Sequence, residues 1–357
     1  MEVEQLRQAL AGKAQTVLGP VAAADLGATI THEHLLMTMQ HVSVEPADID
    51  RRAAFHAPVT METLGDLRYG GQPNKDNFGL ADEPTAIDEV SHYKQAGGCT
   101  LVDATSIGIG RDPAALARIA RASDLNIIMG SSYYVEQNYP PGCHMDTKSE
   151  DEIVDEIVGD IFAGAEETGV RAGLIGEVGC SWPLTANERK VLRASGRAQQ
   201  LTGAPLMIHP GRHPDAPFEI INVLREVDTD LSRTIMCHID RTIDREDTLK
   251  KLAETQCILE YDLFGSEHSY YPWTIPVDMP NDGGRLRWLA WLIAAGHGAQ
   301  IVISHDICMK SLLVRYGGAG YAHILANVVP FMRRKGFAEE NIRTILVDTP
   351  KRVLAFQ

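Results

Sequence analysis

Six residues scattered through the 357-residue chain are of types that hold divalent cations, and each lies near the end of an apolar run. The first run contains Thr29, Ile30, Thr31, His32, Glu33 and His34; its β-branched residues predict a short buried strand. Strand side chains alternate, so His32 and His34 point one way and Glu33 the other. Further along, Glu177, His209, His238 and Asp306 occupy comparable places in four later runs. Taken singly, each has a structural explanation. Glu177 could cap a helix, His209 could end a strand before Pro210, His238 could be a satisfied core histidine and Asp306 an N-cap. Together, four imidazoles and two carboxylates at one rim are costly unless a cation pairs with them. Imidazole plus carboxylate without thiolate suits zinc, manganese, iron or cobalt, and the ligand count suits two ions.

Such a rim needs elements that bring distant residues to one place, and the chain alternates regularly enough to supply them. Strand-like runs at 28–34, 100–106, 126–134, 172–179, 205–211, 234–240, 257–264 and 300–306 are separated by helical patterns. The helices are predicted at 84–96, 113–122, 150–167, after the Thr185/Glu188 capping box, and at 216–227, 245–254, 283–295 and 349–356. Near-continuous apolar strands alternating with amphipathic helices indicate a parallel sheet covered on both faces. Eight units predict an α/β protein with a closed (β/α)8 TIM barrel and long loops at the C-terminal face, as one domain over 1–357. A two-domain doubly wound fold is the alternative. Residues 1–26 read as an N-terminal helix and a hairpin turning at Gly19-Pro20, which would cover the barrel bottom. Residues 40–82 form a long loop after strand one, a length typical of functional loops or lids.

A formal net charge of -15 argues against a nucleic-acid phosphate binder or an anionic-membrane binder. The sequence has no run apolar for the length of a membrane span, and its opening residues lack a basic region followed by an apolar stretch. Six cysteines without a C-x-x-C pair, mostly in or beside apolar runs, suggest reduced thiols and a cytoplasmic protein.

The run Gly-Ala-Thr-Ile-Thr-His-Glu-His at 27–34, the Gly-Ile-Gly-Arg-Asp turn at 108–112 and the four later ligand positions resemble the phosphotriesterase family of the amidohydrolase superfamily. Longer stretches at 175–185, 209–212, 260–265 and 316–330 resemble its phosphotriesterase-related branch. The bacterial phosphotriesterases place a carboxylated lysine where this chain has Glu177, a departure that points toward the related branch. The resemblance implies a first metal held by His32, His34, Glu177 and Asp306, and a second by Glu177, His209 and His238, with zinc the leading candidate. It implies hydrolysis by a metal-bridging hydroxide, with Asp306 relaying a proton to the leaving group. It also implies a small anionic N-acyl amine as substrate, such as N-acetyltaurine or an N-acetyl amino acid. A lactonase or phosphotriesterase on the same site is the alternative enzyme, and a non-catalytic binding protein the alternative class.

An anionic substrate requires a cation beyond the metals. Arg212 is the first candidate, with His213 beside it; Lys310 and Arg315 rank lower, as charges of a kind usually solvated. Tyr134 and Tyr261, at the ends of strands three and seven, are candidates to line the same bowl, and Tyr270, Tyr271 and Trp273 to wall it. Gly317, Gly318 and Gly320 read as a flexible turn. Exposed barrel helices are compatible with a homodimer.

Overall fold

The computed structural model describes residues 3–69, 73–267, 271, 273–274 and 277–357. The apolar runs become strands buried on both faces: β1 (Thr29–Glu33), β2 (Thr100–Asp103), β3 (Asn126–Ser131), β4 (Leu174–Gly179), β5 (Leu206–His209), β6 (Thr234–Met236), β7 (Ile258–Tyr261) and β8 (Ile301–Ile303). They form one eight-stranded sheet in chain order, and every neighbouring pair is parallel. Helices lie between successive strands on the outside, as a (β/α)8 barrel requires.

The ring closes between β8 and β1 by side chains as well as backbone. Asp306 N–H donates to the His32 carbonyl at 3.1 Å, and His32 N–H donates to Ser304 Oγ at 2.9 Å. The Glu33 carboxylate accepts from Ser304 Oγ (2.7 Å), His305 N–H (3.0 Å) and Ile307 N–H (3.1 Å), and lies 2.6 Å from His305 Nδ1. One buried side chain therefore staples the first strand to the last.

Inside the barrel, Val102, Ile128, Leu174, Met207, Ile258 and Val302 pack together with Ala14, Leu26 and Val353. The N-terminal hairpin, Lys13–Thr16 paired with Gly19–Ala22, closes the end opposite the ligands. Val17 N–H donates to the Ile127 carbonyl, and Gln15 Nε2 donates to the carbonyls of Ile161 and Ala172. A Cβ at Gly173 would overlap the Gln15 carbonyl oxygen, so this contact requires glycine there. Gly19-Pro20 is not the hairpin turn. Both residues lie in the second strand, paired with Thr16 and Gln15, and Val17 and Leu18 make the turn.

The segment 40–82 is not a bare loop. An antiparallel pair, Met37–Thr38 with Gly79–Leu80, closes its base, and it carries helices Ile49–His56 and Leu64–Tyr69. The helix after β4 opens with the expected capping box at Thr185 and Glu188. Among the described residues no helix is long and apolar enough to cross a membrane. The six cysteines are unpaired.

Candidate metal centre and active-site cavity

At the end of β1, alternation places His32 and His34 on the barrel axis and turns Glu33 into the seam. The carboxylate of Glu177, on β4, lies among the four histidines. Its Oε1 is 3.4 Å from His34 Nε2; its Oε2 is 2.8 Å from His209 Nδ1, 3.5 Å from His32 Nε2 and 3.6 Å from His238 Nε2. Asp306 Oδ1 is 3.2 Å from His34 Nε2 and 3.8 Å from His32 Nε2. The structure thus brings all six ligand candidates to one point on the barrel floor. Five are buried, while Asp306 is 15% exposed and faces the cavity. His238 and Asp306 lie beyond their strand ends with φ of 55° and 50°. This left-handed turn carries a local cost of about 1–2 kcal/mol each, and such strain often marks a functional position.

A second layer holds the rings from behind. Asp262 accepts from His238 N–H (2.9 Å) and lies 2.8 Å from His238 Nδ1; its other contact is His32 Nδ1 at 3.3 Å. Glu260 lies 3.4 Å from His32 Nδ1 and accepts from the Cys237 thiol at 3.1 Å, while Thr105 Oγ1 lies 2.9 Å from His34 Nδ1. Carboxylate and hydroxyl partners on the far ring nitrogen fix the tautomer and leave the near nitrogen free as a ligand atom. The sequence reading did not include Asp262 or Glu260 among the site residues. The available signal was two acids two residues apart in an apolar strand, and hence on one face.

The electrostatics fit a cation. His32 Nε2 is buried without a hydrogen-bond partner and faces Glu177. Burial opposes charging His32, yet Cys237, Glu177 and Asp262 together hold its pKa well above the ordinary imidazole value. His34 and His238 are also raised against their burial, by Asp306 and Glu177 and by Asp262 respectively. Glu177 is held well below the carboxylate range by His32 and His209 despite burial. His209 goes the other way: burial, His238 and Arg241 outweigh Glu177 and depress it. The floor therefore demands positive charge, and a donor set of imidazoles and carboxylates suits divalent ions. The same ligand atoms form the groups His32/His34/Asp306 and His32/Glu177/His238, each within 4.8 Å.

Above the floor opens a cavity of about 900 Å³. Arg212 lines it, its Nε donating to Tyr271 Oη at 2.8 Å and its guanidinium 5.9 Å from the Trp273 ring centroid. Tyr134 lines it too, with its hydroxyl 3.3 Å from His209 Nδ1. Burial and Glu177 push the Tyr134 phenol up, so it remains a proton donor at neutral pH. Tyr261 does not line the bowl. Its strand neighbour Glu260 faces His32, so alternation sends Tyr261 outward, fully buried in the shell between strands and helices. Lys310 is neutralised by Asp76 at 2.6 Å, Arg315 is exposed away from the cavity, and His213 stacks on Trp182. Tyr270 lies outside the described residues. Among the cavity residues that the sequence does not single out is Arg241, three positions after His238 and buried. A charge in the short helix that follows a strand carries no signal of its partner, so sequence alone has no means to single it out.

Comparison with known proteins gives a consistent picture. The model of the Phosphotriesterase family matches residues 12–354. An N-acetyltaurine hydrolase of Salmo salar is 43% identical over 350 residues, covering 98% of this chain and 99% of its own. A phosphotriesterase-related protein of Nematostella vectensis is 42% identical over 349 residues, 97% of this chain and 99% of its own. Among solved structures, a resiniferatoxin-binding protein from Rhodobacter sphaeroides superposes with a TM-score of 0.91 at 35% identity, covering 96% of this chain and 95% of that one.

Proposed function

Since this chain belongs to the phosphotriesterase family of metal-dependent hydrolases, we propose that it cleaves the amide of small N-acyl amino sulfonates or amino acids, N-acetyltaurine to taurine and acetate foremost. The observation that carries this reading is one cavity that joins a six-ligand cation floor to a guanidinium, Arg212, with no carboxylate partner among the described residues. His32, His34, Glu177 and Asp306 would hold one ion; Glu177, His209 and His238 would hold the other, with Glu177 shared. When bound, two divalent ions, zinc foremost, supply Lewis acidity that acidifies a water and polarises an acyl carbonyl.

The chain's own groups do the rest. Asp306, exposed to the cavity, accepts the proton of the attacking water on its carboxylate and returns it to the amide nitrogen, which leaves only as a neutral amine. Tyr134, kept protonated, donates a hydrogen bond toward the acyl oxygen. Arg212 takes the anionic end. A cytoplasmic protein without a nucleic-acid or membrane partner accords with the acidic charge and the six unpaired cysteines; sedimentation of the purified protein separates monomer from homodimer.

The test is to count metals per chain by elemental analysis, then assay N-acetyltaurine, N-acetyl amino acids, a lactone and paraoxon side by side. About two metals per chain with release of taurine supports the reading. Turnover of the lactone or phosphotriester alone overturns the substrate and favours the alternative enzyme. Absence of both metal and activity after zinc or manganese reconstitution overturns the enzyme itself.

A further inference from the structure

Four arginines of the described structure are buried, and they differ in what neutralises them. Arg285 bonds Asp240 at 2.8 Å and Asp282 at 3.0 Å; Arg111 bonds Asp160 at 2.7 Å and Glu166 at 3.1 Å. Arg233 has no carboxylate but is wrapped by the carbonyls of Gly203, Val353 and Ala355, away from the cavity. Arg241 has neither arrangement. Its Nη2 donates to the Pro210 carbonyl at 3.1 Å and to His209 Nε2 at 3.2 Å, its Nη1 reaches only Thr242 Oγ1 at 3.5 Å, and it lines the cavity. The acids nearest in sequence or space are committed elsewhere: Asp240 to Arg285, Asp262 to His238, Glu177 to the histidines. A buried guanidinium without an anion is costly unless neutral acceptors enclose it as they do Arg233, and one left facing a cavity can take its anion from outside.

We propose that Arg241 is the second cation of an anion subsite, gripping the sulfonate or carboxylate end of the substrate together with Arg212. This rests on the amide-hydrolase reading above. Arg212 follows β5 and Arg241 follows β6, neighbouring strands, so both stand on the same side of the barrel mouth. The tautomer of His209 adds a reason for Arg241 to be available. As long as His209 Nε2 accepts from Arg241, the ring proton sits on Nδ1, toward Glu177 Oε2 at 2.8 Å. Once Nδ1 serves as a ligand atom, that proton belongs on Nε2, two donors face each other, and Arg241 needs another acceptor. An incoming oxyanion provides one. Two planar forks offer charge-assisted bonds to several oxygens of one head group, which a single arginine cannot saturate.

The probe is propane-1-sulfonate, a poor metal ligand, titrated by calorimetry into the purified full-length protein with its metal content measured alongside. Arg241→Gln and Arg212→Gln are each expected to weaken sulfonate binding by about 10–100-fold. Metal content should remain as in the parent, and the loss should diminish as salt is raised. Arg241→Lys keeps the charge without the fork; it is expected to lose only a few-fold and serves where the glutamine variant does not fold. Unchanged sulfonate affinity in Arg241→Gln or in Arg241→Lys overturns the proposal and leaves Arg241 as a positioning residue for His209. Sulfonate binding that depends on Arg241, in a protein that does not release taurine from N-acetyltaurine, upholds the subsite and overturns the substrate reading instead.

Discussion

The floor and the wall of the cavity lack charges of opposite sign. On the floor, Glu177 and Asp306 lie among four histidines, three of which are driven toward protonation against their burial by the surrounding acidic groups, Asp262 behind His32 and His238 and Asp306 with Glu177 beside His34. On the wall, Arg212 and Arg241 carry positive charge, and their hydrogen-bond partners among the described residues are a phenol, a carbonyl, an imidazole and a hydroxyl. The floor is built at strand ends and backed by Asp262, Glu260 and the Thr105 hydroxyl; the wall is built from residues beyond the strands held by neutral groups. A fold that completes neither half by itself accepts a cation on one side and an anion on the other. A zwitterion or a neutral ligand would satisfy the pair less well than a separate cation and an anionic molecule bridging them.

The comparison breaks most readily at the floor. Glu177→Ala removes the one carboxylate shared by the whole ligand set, and kcat/KM should fall by at least about 10³-fold. Metal per chain should fall with it, and elemental analysis showing full occupancy would mean the ions are held elsewhere. Next comes the wall: Arg212→Ala should raise KM for anionic acyl amides by about 10–100-fold while affecting a neutral lactone far less. Equal losses on both substrates would make Arg212 a structural residue. The second layer follows with an effect on metal alone. Asp262→Asn should weaken metal binding by about 10–100-fold, measured by competition with a chelator, because His238 and His32 lose their orienting carboxylate.

The smallest effect concerns the base of the wall, where Asp282 ties the loop after β7 to the helix Asp282–Ala294. It accepts from Gly265 N–H at 2.9 Å, Arg285 at 3.0 Å and His323 at 2.7 Å. Although burial raises it, these partners prevail and depress its pKa. A depressed carboxylate contributes stability above its unfolded pKa and loses it as pH falls through the folded one. Asp282→Asn should therefore lower Tm by a few degrees near neutrality, and the gap from the parent should close as the buffer is acidified below about pH 4. A gap that is constant with pH would assign the loss to packing.

The two halves of the site also differed in how far the sequence revealed them. Histidines and acids are rare at the ends of apolar runs, so the six floor residues announce themselves, and the strand-helix alternation places them together. Strands stop short of their apolar runs for a related reason. The run 234–240 looks continuous, but β6 stops at Met236 because His238 turns left-handed to face the centre and Ile239 starts a short helix. In the stretch between β8 and the closing helix the sequence pattern marks only a glycine turn. That stretch contains helices Val329–Arg334 and Glu339–Arg343, each next to a widened π-helical turn. Those wide turns precede Pro330 and Pro350 and accommodate residues that would otherwise break a regular helix. The wall was least legible. Arg212 could be suspected from its place after His209, but Arg241 is distinguished by partners it lacks, which only three-dimensional neighbours reveal.

The seam stapled by Glu33 has a consequence for the order of events in synthesis and folding. Two ligand histidines lie in and just after the first strand and Asp306 in the segment after the last, separated by most of the chain. Contacts this distant in sequence form late, because their loop-closure entropy is offset only when the intervening units are in place. A nascent chain that has not emerged beyond Asp306 presents an open sheet edge and an incomplete ligand set. Acquisition of the full cation complement would therefore report that the ring has shut, and a bound ion would in turn hold together the two strands that meet last.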